Sequence, residues 1–192
     1  MSTSTALVLL APGAEEMETA ICVDLLRRAE IAVTLAGVEG PGAVRCSRGV
    51  QLVPDVALSE VTGRFDVLVL PGGAGGAECL AASPQVGALL QTQAKHGFIA
   101  AICAAPIALL AHGVGRGRRV TSHPSVRERL AGTFELCDDR VVIDGRLITS
   151  QGPGTSFEFA LAIISELRGA DVATKVRAPL CLPTQLPGHL AT

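Results

Sequence analysis

Uniformly apolar runs alternate along the chain with longer stretches in which apolar residues recur every three or four positions. ALVLLA (6–11), bounded by Pro12 and Gly13, reads as a buried strand, and AEEMETAICVDLLRRA (14–29) follows as a helix with Met17, Ile21 and Leu25 at helical spacing. IAVTLAG (31–37) is a second strand and VQLVP (50–54) a shorter one. FDVLVLPGGAGG (65–76) is a strand running into a glycine cluster. In SPQVGALLQTQAKHG (83–97), Ser83 is placed to cap a helix, Pro84 takes its first position and Gly97 ends it. FIAAI (98–102) then gives way to AAPIALLAHG (104–113), again strand and helix.

Past residue 113 the alternation loosens. VTSHPSVRERLAG suggests a turn and a short helix, residues 134–150 two strands around Asp144-Gly145, and GTSFEFALAIISELRG (154–169) a long helix. Uniformly apolar strands between helices imply an α/β fold, a mostly parallel sheet with helices on both faces, and the hairpin adds an antiparallel edge. One domain over 1–182 fits the length of 192 residues, and PTQLPGHLAT (183–192) reads as a mobile tail.

Composition narrows the function. Hydrophobic residues make up 48%, charged residues 18%, and the net charge is −2. No basic block is present to track a phosphate backbone, so nucleic acid is not indicated as a primary ligand. No apolar run reaches the roughly 18 residues of a membrane span, and the first residues lack the pattern of a signal peptide, so an intracellular, cytoplasmic protein is expected. The six cysteines are widely spaced, without CxxC pairs or histidines at metal-ligand spacing, which suggests free thiols and no metal.

One of those thiols has a distinctive place. In an open α/β sheet, ligands bind beyond the carboxyl ends of the strands. Three such ends converge here: Pro12-Gly13 with the acidic turn Glu15, Glu16 and Glu18, then Pro71-Gly72-Gly73, then Cys103. Cys103 falls where a strand gives way to a helix, the setting of a nucleophile elbow, with small flanks at Ala101, Ala104 and Ala105. A helix N-terminus there is expected to favour thiolate. The N–H groups of Gly72, Gly73 and Ala104 are placed to hold an oxyanion.

The segments APGAEEMETAICVDLLRRAEIAVTLAG, CSRGVQ, VLVLPGGAGGA, FIAAICAAPIALLAHG, VTSHP and TSQGPGTSFEFALAI closely resemble the ThiJ/PfpI family of the class I glutamine-amidotransferase-like superfamily, in order, from about residue 5 to 182. The resemblance implies a flavodoxin-like three-layer sandwich that forms a homodimer, in the cytoplasm and also in nucleus and mitochondria. It implies Cys103 as nucleophilic and oxidisable cysteine, Glu18 as its carboxyl partner, His123 nearby and Arg48 at the pocket mouth. The activities implied are cofactor-independent conversion of methylglyoxal to lactate, deglycation of early adducts on proteins, and a redox-sensing chaperone role. Ala74 stands where relatives carry Asn, and Gln151 where they carry the Arg that partners Arg48.

Overall fold

The computed structural model describes residues 3–183, so the tail expected over 183–192 lies, apart from its first residue, outside the described residues. In chain order, β1 (Thr5–Leu10) leads into α1 (Glu16–Arg28) and β2 (Ala32–Gly37); a small hairpin of β3 (Val44–Arg45) and β4 (Gln51–Leu52) precedes β5 (Val56–Ala57). After β6 (Val67–Leu70) come α2 (Ala74–Ala82), α3 (Pro84–Gln93), β7 (Phe98–Ile102) and α4 (Pro106–Ala111). The remainder comprises β8 (Arg119–Val120), α5 (Arg127–Leu130), β9 (Glu135–Leu136), β10 (Val141–Asp144), β11 (Leu147–Ser150), α6 (Ser156–Arg168) and α7 (Ala170–Arg177).

The main sheet has the order β10-β11-β7-β6-β1-β2-β5 and is parallel except for the β10–β11 hairpin. Its central strands β1, β6 and β7 are buried almost throughout, which is why they are apolar at every position rather than at alternate ones. The helices pack in two groups, α1 with α6 and α7, and α2 with α3 and α4. This is the flavodoxin-like sandwich with an added antiparallel hairpin.

Local chemistry accounts for several boundaries. The Ser83 hydroxyl accepts from the Val86 N–H at 3.3 Å and Pro84 opens α3, as its sequence implies. The hairpin turns at Gly145 in the left-handed region (φ +60°), and the Asp144 carboxylate accepts from the Arg119 N–H at 3.0 Å. Other boundaries differ from expectation. The strand expected over 50–54 shrinks to β4 and pairs with β3 outside the main sheet, while β5 supplies the sheet edge. The first strand expected within 134–150 divides: β9 pairs with β8, and the hairpin begins only at Val141. Met17, expected on the apolar stripe of α1, is exposed, and the buried face carries Glu18, Cys22, Leu25 and Leu26.

Candidate active site

Three loops at the carboxyl ends of β1, β6 and β7 meet backbone to backbone. The Glu15 N–H donates to the Gly72 carbonyl at 3.0 Å and so ties the first loop to the second. A Cβ on Gly72 would stand 2.6 Å from the Cys103 Cβ and 2.9 Å from the Ala104 nitrogen, so only glycine lets the second loop touch the third. Gly73 has φ +82° and would place a Cβ 2.4 Å from the Gly13 carbonyl oxygen. The PGG sequence is therefore a close-packing element as well as a turn. Gly72→Ala is expected to lower stability by roughly 1–3 kcal/mol, the usual range for forcing atoms into a packed interior, and to slow Cys103 alkylation. Chemical denaturation and peptide mass spectrometry read the two effects, and wild-type values for both would contradict this packing.

Cys103 sits on that third loop with φ +64°, in the left-handed region where a side chain is strained. Two backbone hydrogen bonds hold it there: its N–H donates to the Ser150 carbonyl and its carbonyl accepts from the His123 N–H, each at 2.9 Å. The result is a sharp elbow, with the residue only 9% exposed. α4 starts at Pro106, beyond the elbow, and the N–H groups that act on the sulfur are those of Gly73 and Ala104.

Glu18, in the first turn of α1, is fully buried beneath the elbow. Its Oε2 accepts from the Gly72 N–H at 2.6 Å, so Gly72 serves the carboxyl rather than an open oxyanion site. Its Oε1 is buried without a well-formed hydrogen bond, and the Cys103 thiol lies within interaction reach of the carboxyl. Burial pushes Glu18 up from 4.5 to about 7, against the opposing pull of the Gly72 N–H and the thiol. Burial likewise pushes the Cys103 thiol up to about 12, reinforced by the Glu18 charge and opposed by the Gly73 and Ala104 amides. The expectation that a helix N-terminus here favours thiolate is outweighed by desolvation and the neighbouring carboxyl. The carboxyl raises the thiol while the thiol favours the carboxylate, so the two titrate as a unit that keeps one proton above neutral pH.

Glu15 and Glu16 do other work. The Ser47 hydroxyl lies 2.7 Å from Glu15 Oε2 and 2.9 Å from Glu16 Oε2, and the Arg48 N–H donates to Glu16 Oε1 at 2.9 Å. Burial pushes the Glu16 carboxyl up, but these hydrogen bonds and others from its own backbone and Val50 outweigh it and hold the group below its ordinary value. Both carboxylates thus brace the turn between β3 and β4, a role the sequence did not suggest.

A cavity of about 720 Å³ opens over Cys103 and is lined also by Gly73, Ala74, Ala104, His123 and Arg48. Gly72, Gly73, Ala104, Glu18 and Cys103 form one cluster. His123 reaches the cavity, but its Nδ1 accepts from the Ser125 N–H at 3.2 Å and it makes no hydrogen bond to the sulfur. The exposed Arg48 guanidinium donates to the Ser47 carbonyl at 3.3 Å. Gln151 turns away, donating to the Asp138 carbonyl at 2.8 Å. Reading the sequence alone missed Arg45, Ser47, Glu78 and Arg129 on the cavity wall, because they come from segments with no strong periodic signal. Among the described residues, no group of three or more His, Cys, Asp or Glu is arranged to hold a metal ion, and no helix is long and apolar enough to cross a membrane.

A cysteine on a strained strand-to-helix elbow, with a buried carboxyl below and two amides beside it, places the chain among doubly wound α/β proteins with a cysteine-centred site. Residues 4–166 match the DJ-1/PfpI family, and the chain belongs to that family. It is 53% identical to the Parkinson disease protein 7 homolog of Danio rerio over 187 residues, 95% of this chain and 99% of that protein. Identity to the glutathione-independent glyoxalase DJR-1.2 of Caenorhabditis elegans is 46%, covering 93% of this chain and 96% of the relative. The crystal structure of Drosophila melanogaster DJ-1beta superposes with a TM-score of 0.93 at 51% identity, covering 95% of this chain and all of that one.

Proposed function

We propose that the protein is a cysteine-dependent glyoxalase that converts methylglyoxal to lactate without a cofactor, and that it acts on early glycation adducts through the same chemistry. The observation that carries this reading is the coupled Cys103–Glu18 pair at the base of the cavity. The glyoxalase name borne by the nematode relative supports it.

The pair's single proton rests mainly on the Cys103 sulfur; in the minor form in which it has moved to Glu18, the sulfur carries the charge and attacks the aldehyde carbon. An S–C bond forms and the carbonyl electron pair moves to oxygen, where the Gly73 and Ala104 N–H groups stabilise it. Glu18 passes its proton to that oxygen and, as the carboxylate, takes the proton from the former aldehyde carbon to give an enediolate. The hydroxyl proton moves from the first oxygen to the second, Glu18 returns the carbon-derived proton to the adjacent carbon, and the electron pair left on the first oxygen re-forms a carbonyl beside sulfur. The product of this shift is a lactoyl thioester. Water hydrolyses it, releasing lactate and returning the thiol. His123 borders the substrate, and Arg48 stands at the mouth. The test is proton NMR of methylglyoxal with the reduced protein in glutathione-free buffer: lactate is expected, and its absence overturns the reading.

The buried, unpartnered Glu18 Oε1 also favours a redox role, because a protonated carboxyl there would donate to an oxygen of Cys103 sulfinate. Mild peroxide should then oxidise Cys103 ahead of the other five cysteines, and uniform oxidation would count against this role. Homodimer formation belongs to the proposal as well. Met17 on α1 and Val50 and Val53 beside β4 are large apolar side chains that are half or more exposed, as an isologous contact would use. Residence in the cytoplasm, nucleus and mitochondria rests on the family resemblance.

A further inference from the structure

The cavity over Cys103 is far larger than a three-carbon dicarbonyl requires, since volumes of 300–1,000 Å³ ordinarily take drug-sized ligands. Its charged lining is sorted by depth. Glu15 is buried and engaged with the Ser47 hydroxyl, whereas Arg45 and Arg48 are exposed at the lip on β3 and the turn that follows it. Neither Arg45 nor Arg48 forms a salt bridge among the described residues, although eight other arginines do. Across the cavity, Arg129 of α5 pairs with Glu78 of α2, so that the second carboxylate of the wall is neutralised. The unpaired charge at the exposed lip is therefore cationic, while the Glu15 carboxylate, which has no salt bridge among the described residues, is buried deeper. The lip is held in place from below, since the Gly13 N–H donates to the Arg45 carbonyl at 2.9 Å and the Arg48 N–H donates to Glu16.

We propose that this mouth selects 2-oxoaldehydes that carry a carboxylate or phosphate a few atoms from the aldehyde, with Arg45 as a specificity-determining residue alongside Arg48. The aldehyde end reaches Cys103 while the anionic end stays at the guanidinium lip, which uses the volume that methylglyoxal leaves empty. Guanidinium suits both anions, because its fork of N–H donors matches their paired oxygens. The choice of reaction rests on the glyoxalase reading; the charge preference of the mouth does not.

Two measurements separate these claims. The first compares alkylation of Cys103 by iodoacetate and by iodoacetamide, two reagents of similar size that differ in charge, followed by peptide mass spectrometry at low ionic strength. The iodoacetate-to-iodoacetamide rate ratio is expected to exceed that of a small free thiol by roughly tenfold, the lower end of electrostatic focusing in charged clefts. It should fall severalfold in Arg45→Gln and in Arg48→Gln, persist in Arg45→Lys, and decline with added salt. A ratio no higher than the free thiol's, or one indifferent to both Gln variants, overturns the proposal. The second compares kcat/KM for 4,5-dioxopentanoate with that for methylglyoxal: a ratio above one that drops in Arg45→Gln is expected, and an unchanged ratio contradicts the role of Arg45. Alkylation needs no turnover, so failure to make lactate sinks the reaction while leaving the mouth testable.

Discussion

Replacing Cys103 by serine is expected to lower methylglyoxal turnover by roughly 10³-fold or more while leaving the fold intact. Serine occupies nearly the same volume, and the two backbone hydrogen bonds that hold the elbow, from the residue 103 N–H to Ser150 and from the His123 N–H, do not involve the side chain. What changes is the availability of an anion. A hydroxyl beside the buried Glu18 has no accessible alkoxide, whereas the thiol shares its proton with that carboxyl and the Gly73 and Ala104 amides oppose the effect of burial. Turnover by the serine variant within tenfold of wild type, in preparations shown to be folded by circular dichroism, would remove sulfur from the mechanism.

Glu18→Gln carries the second large effect, and it acts in opposite directions on rate and stability. Glutamine can still accept from the Gly72 N–H, but it cannot move a proton, so kcat is expected to fall by about 10²–10⁴-fold, the span of general acid–base catalysis. The stability effect follows from the raised carboxyl. Its folded value of about 7 lies above the ordinary 4.5, so the native state holds the proton more tightly than the unfolded chain does. The stabilisation linked to that proton is complete below pH 4.5 and is lost as the pH rises through about 7. A shift of this size corresponds to about 3 kcal/mol. Wild type should therefore lose stability between pH 5 and pH 8 relative to the Gln variant, which has no such carboxyl. Guanidinium denaturation of both proteins at the two pH values is the check; parallel behaviour would mean that Glu18 is not protonated in the native pair. An active-site residue whose removal stabilises the fold is the usual signature of a group kept for function.

The parts of the architecture that were legible in the sequence are those where one signal dominates. Continuous apolar runs located β1, β6 and β7, and Ser83-Pro84 located the start of α3. α2 escaped notice because AGGAECLAA is poor in helix formers at its start; Gly75 and Gly76 are tolerated because Ala77 and Leu80 bury themselves against the core. β3, β8 and β9 are two residues each, too short for any periodicity to register. The apolar spacing of α1 placed Met17 inward, whereas the helix is rotated so that Glu18 and Cys22 are buried. That rotation brings a carboxyl into the core, and no rule of apolar periodicity anticipates it. At the site, the elbow and glycine pair were visible as sequence patterns. The bracing of the β3–β4 turn by Glu15 and Glu16, and the guanidinium lip, depend on contacts between residues some thirty or more positions apart and emerge only from the fold.

The central claim is that one sulfur, at Cys103, performs the chemistry. Its most direct test is a titration of reduced protein with iodoacetamide in which residual lactate formation is plotted against the fraction of Cys103 alkylated, measured peptide by peptide for all six cysteines. Activity is expected to fall in proportion to Cys103 labelling and to reach zero at one label on that residue, whatever the state of the others. Lactate formation that survives complete alkylation of Cys103, or that tracks a different cysteine, would contradict the account.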